Sequence, residues 1–78
     1  MMSEMQWLKI FADNLVYLLE QNRMSQNELA RLTGIDQGSI SRYASARQLP
    51  GPRAIVNIAL ALGLTVDELV NFDDMIGL

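Results

Sequence analysis

The chain has 78 residues, 50% of them hydrophobic and 19% charged, which makes one small domain and is too apolar for a disordered tail. It contains no Cys and no His; that excludes disulfides, thiol nucleophiles, the usual structural zinc sites and the commonest general base near neutral pH, so neither an enzyme nor a metal domain is expected and no cofactor is implied. Its formal charge of −3, taken as a bulk figure, speaks against a nucleic-acid partner.

From about Gln6 to Asn22, Trp7, Phe11, Leu15, Leu18 and Leu19 recur at three- and four-residue steps and predict a first helix with one buried face. Lys9, Asp13 and Asn14 interrupt the apolar stretch Met5 to Leu19, so it is too polar and too short to span a membrane. No signal-peptide pattern precedes it, and a cytoplasmic protein is expected. Ser25 and Glu28 have the spacing of a capping box, opening a second helix that runs through Leu29, Ala30 and Leu32 and stops at a left-handed Gly34. Asp36 offers the N-cap oxygen for a third helix over about Gln37 to Ala44. Pro52 suits the first turn of a fourth, whose Ile55, Ile58, Ala59 and Leu62 precede Gly63. Thr65 and Glu68 repeat the capping-box spacing and open a fifth, with Val66, Leu69 and Val70 expected to point inward and Phe72 next. No stretch alternates with period two long enough to be a strand. The expectation is an all-α, five-helix domain spanning residues 1–78.

Helices two and three, joined by a tight turn containing glycine, make a helix-turn-helix, whose second helix enters the DNA major groove. Ala30 is small enough for close approach, Gly34 makes the turn, and Ile35, Ile40 and Tyr43 are apolar where the pair meets the core. At about 100° per residue, Ile40 and Tyr43 define the inward direction, and the opposite face carries Gly38, Ser41, Arg42 and Ser45. Gln37, in the leading turn, also reaches a groove. Arg42 has the fork for guanine O6 and N7, and Gln37 the paired donor and acceptor for adenine N6 and N7. Gly38 either lets the backbone come close to DNA or is simply tolerated near the helix start. Asp36 is better explained as a cap than as a base reader, because its carboxylate repels phosphate. Ser45, Arg47 and Arg53, around the turn after the third helix, are expected on phosphates.

Charge position removes the objection raised by the net figure. Residues 1–22 carry −2 and residues 54–78 carry −4, but residues 23–53 hold Arg23, Arg31, Arg42, Arg47 and Arg53 against Glu28 and Asp36, a net +3. With screening over about 10 Å in ordinary salt, a basic face holds phosphate while distant carboxylates are largely unfelt.

The segments Gln26 to Ile35 and Ser39 to Tyr43, then Pro50, then Ile58 to Leu64 and on to Leu69 resemble the lambda-repressor and Cro-type (XRE-like) helix-turn-helix family over roughly Leu15 to Val70. The resemblance implies a five-helix fold, DNA binding through the third helix, usually as a dimer on a two-fold operator, and a role in phage or bacterial repression. It implies base contacts at Asp36, Gln37, Gly38 and Arg42, and a phosphate contact at Gln26, where the start of a helix already favours an anion. The family often has glycine around Ala46; a left-handed alanine would be strained, so that loop is expected to differ here.

A lone helix-turn-helix reads only about four or five base pairs, so two copies on half-sites about 34 Å apart are expected. Phe72, Met75, Ile76 and Leu78 are the expected homodimer interface, the bland alternative being that they cover the monomer's own core. The partner is double-stranded operator DNA; no small-molecule ligand and no membrane are implied. The function expected is that of a small phage- or prophage-type repressor. Two alternatives stand beside it: an antitoxin-type module that neutralises a partner protein, and a controller of a restriction-modification system.

Overall fold

A computed structural model of the chain describes residues 3–70. Five helices follow one another: α1 (Glu4–Gln21), α2 (Gln26–Thr33), α3 (Gln37–Ala44), α4 (Pro52–Ala61) and α5 (Val66–Leu69). Among the described residues there is no strand, and the fold is all-α, as the sequence implies. Phe72, Met75, Ile76 and Leu78 lie outside the described residues.

The helix starts follow from capping chemistry. The Ser25 hydroxyl accepts from the Glu28 N–H at 3.0 Å and the Thr65 hydroxyl from the Glu68 N–H at 3.1 Å, with each glutamate reaching back to the cap. A third capping box, Ser3 with Gln6, starts α1 two residues earlier than the apolar pattern predicts. Caps satisfy N–H groups that have no intrahelical partner, and so extend a helix past the stretch that packing alone selects. Pro52 stands in the first turn of α4.

The ends of α1, α3 and α4 share one device. The N–H groups of Met24, Arg47 and Leu64 donate to the carbonyls of Leu19, Arg42 and Ala59 at 2.9, 2.9 and 2.8 Å, the long bond of a Schellman turn. The residues just before these donors, Arg23 (φ 51°), Ala46 (φ 62°) and Gly63 (φ 70°), are left-handed. The expectation that Ala46 would avoid this conformation is therefore corrected. Ala46 adopts it, and the bond from Arg47 to Arg42 offsets part of a cost of about 1–2 kcal/mol.

The core draws Phe11, Leu15 and Leu19 from α1, Leu29 from α2, Ile40 and Tyr43 from α3, Ile58 and Ala59 from α4, and Leu69 from α5. α1 packs on α3, α2 on both α3 and α4, and α4 on α5. Three sequence expectations are revised here. Trp7 is 39% exposed rather than in the core, because no residue between Glu4 and Ile10 is buried and the buried face of α1 begins only at Phe11. Val66 is 40% exposed, since a single-turn helix directs only Leu69 fully inward, leaving Val70 half-buried. Asn14, read as a polar interruption, is 4% exposed, and its amide donates to the main-chain carbonyl of Leu69. No helix among the described residues is long and apolar enough to cross a membrane.

Candidate nucleic-acid interface

The junction between α2 and α3 is built by local hydrogen bonds. Gly34, at φ 72°, ends α2 with its N–H on the Ala30 carbonyl at 2.9 Å. The Thr33 hydroxyl donates to the Leu29 carbonyl at 2.7 Å and accepts from the Ile35 N–H at 3.2 Å, which stiffens the turn. Two residues later Asp36 caps α3, its carboxylate accepting from the Ser39 N–H at 3.2 Å. Ala30 and Ile35 pack against the core. These contacts fix α3 relative to α2 with few rotatable residues between them.

Ile40 and Tyr43 are buried, as their spacing requires, so the other side of α3 is presented outward. Gln37, Ser41 and Arg42 are exposed on it and Gly38 is half-buried. Arg42 does not wave freely. Its Nε donates to Gln48 Oε1 at 2.8 Å and its Nη2 to the Ser39 hydroxyl at 3.0 Å. A methyl group at Gly38 would stand 2.8 Å from Asp36 Oδ2 and 3.4 Å from Arg42 Nη1. The guanidinium thus lies back along α3 toward its first turn, the direction in which helical side chains lean. Gly38 has no positive φ; what its missing Cβ supplies is space for the Asp36 cap.

The phosphate candidates belong to α2, the end of α3 and the start of α4. Gln26 is half-buried at the first position of α2, beside a cap whose hydroxyl is already taken by Glu28. Arg47 and Arg53 are exposed, one just after the left-handed Ala46 and the other in the first turn of α4. The Ser45 hydroxyl donates to the Ser41 carbonyl at 2.8 Å, so a phosphate contact from it would exchange that bond. Arg23, Arg31, Arg42, Arg47 and Arg53 are all exposed and belong to the segment of net +3, while exposed Lys9 lies outside it.

Sequence reasoning missed two members of this cluster. Ser39 stands three residues before Arg42 on the same helix, a spacing at which side chains meet, so it was readable. Gln48 is six residues away in the following loop, and only the left-handed turn at Ala46 returns it to the helix.

The pattern that defines a Cro/C1-type helix-turn-helix family matches residues 15–69. No curated protein and no solved structure matches the chain.

Proposed function

Because the chain belongs to the Cro/C1-type helix-turn-helix family of DNA-binding transcription regulators, we propose that it is a small repressor of the phage or prophage kind, acting in the cytoplasm. It binds a two-fold operator as a homodimer, with α3 in the major groove. Arg42 pairs with a guanine and Gln37 with an adenine, while Gly38 and Ser41 lie against the base edges and Asp36 serves as the cap. Gln26, Arg47, Arg53 and Ser45 engage phosphates. The observation that carries this reading is the outward face of α3: Arg42 and Gln37 are exposed on it, opposite the buried Ile40 and Tyr43. The self-association proposed through Phe72, Met75, Ile76 and Leu78 rests on their apolar character alone.

One observation favours the protein-binding alternative of the antitoxin type. Leu32, Val56 and Leu60 are 50%, 45% and 71% exposed, and Leu32 and Leu60 line one surface hollow with Asn57. Selection of bound duplexes from a random DNA pool separates the readings. The repressor reading expects an inverted repeat with half-sites about 34 Å apart, centre to centre. A pool with no enriched sequence would sink it in favour of the protein-binding alternative.

A further inference from the structure

We infer that Gln48 is a positioning residue for base reading: it holds the Arg42 guanidinium in the orientation that meets a guanine. The inference deepens the proposed function and rests on its assignment of Arg42 to a base. Free arginine carries a long, flexible stem, and ordering such a side chain at an interface costs roughly a factor of two to ten in affinity. Here the ordering is done before DNA arrives. Gln48 Oε1 takes the single Nε–H at 2.8 Å, and the Ser39 hydroxyl takes one N–H of Nη2 at 3.0 Å. Of the five donors in an arginine fork, three remain, more than the two that a bidentate contact with guanine O6 and N7 uses.

The loop is shaped to deliver this contact. Ala46 takes a left-handed φ of 62°, and the Arg47 N–H closes onto the Arg42 carbonyl at 2.9 Å. The chain is thereby turned back beside α3, and Gln48, two residues beyond Ala46, reaches the guanidinium of the residue whose carbonyl anchors the turn. The same turn ends α1 and α4, and after α3 it also carries Gln48 to the Arg42 guanidinium. Gly38 leaves room for the Asp36 cap beside this side chain, because a methyl there would stand 2.8 Å from Asp36 Oδ2.

The test uses Gln48→Leu, which removes the acceptor from an exposed side chain, Gln48→Glu, which keeps an acceptor at the same reach, and Arg42→Ala. In the free protein, the Arg42 Nε–H resonance should exchange with water faster in Gln48→Leu than in the wild type, and stay slow in Gln48→Glu. On the duplex recovered from the random pool, the readout is the affinity ratio between that duplex and one with the guanine facing α3 replaced, at fixed salt. Arg42→Ala should abolish the ratio, Gln48→Leu should lower it by roughly threefold to tenfold, and Gln48→Glu should keep it even where its charge weakens binding to every duplex. An unchanged Nε–H exchange rate in Gln48→Leu would overturn the inference. So would an unchanged ratio in Gln48→Leu alongside a lost one in Arg42→Ala, which leaves the base-reading assignment standing. An unchanged ratio in Arg42→Ala removes that assignment itself, and the inference with it.

Discussion

The side-chain amide of Asn14, in the middle of α1, donates a hydrogen bond to the main-chain carbonyl of Leu69 in the last turn of α5. The two residues are 55 apart in sequence, and both are buried. A four-residue helix is too short to hold itself together in water. α5 therefore depends on three supports: its Thr65 capping box, the burial of Leu69, and this tie. Replacing Asn14 by Ala leaves the Leu69 carbonyl buried with no donor from α1. The expected loss is about 1–3 kcal/mol, read as a lower urea midpoint with an unchanged slope. A midpoint equal to that of the wild type would mean that water substitutes fully for the amide.

Ala46 is left-handed at the end of α3, where glycine would sit without strain. Ala46→Gly should therefore stabilise the fold by about 1 kcal/mol, the relief of the left-handed penalty less glycine's greater unfolded-state freedom. Thermal and urea unfolding give the sign directly. Ala46→Val, β-branched, should destabilise instead, and equal stabilities for the two variants would contradict the conformational assignment.

Arg42 is exposed, so Arg42→Ala should leave the unfolding midpoint nearly unchanged. Affinity for the selected operator should fall by more than about tenfold, as expected for loss of a bidentate base contact. Titration at constant salt checks this; a loss that is equal on random duplex would reassign Arg42 from bases to phosphates.

Gln26, at the first position of α2, stands where helical N–H groups favour an anion. Gln26→Ala should weaken binding to all duplexes about equally, because phosphate contacts position a protein without reading sequence. Competition between operator and random DNA measures this, and a loss confined to one base position would contradict it.

The local chemistry of this protein was written in its sequence. Ser25 with Glu28, Thr65 with Glu68, Asp36 and Gly34 act within four residues, so capping and turn formation needed no knowledge of the rest of the chain. The periodicity of Ile40 and Tyr43 likewise set which face of α3 is outward. Contacts between distant segments could not be read that way. Asn14 looked like a break in an apolar stripe until α5 supplied a carbonyl opposite it. Trp7 had the right spacing for a core that does not extend to its turn. Gln48 carried no periodic signal, because its meeting with Arg42 depends on a left-handed alanine that backbone preferences alone argue against. The sequence determined the helices and which face of α3 is outward, since short-range hydrogen bonds and 3.6-residue periodicity decide both. Only the tertiary structure decided how Arg42 is held, since that takes a chain reversal closed by a hydrogen bond onto the Arg42 carbonyl.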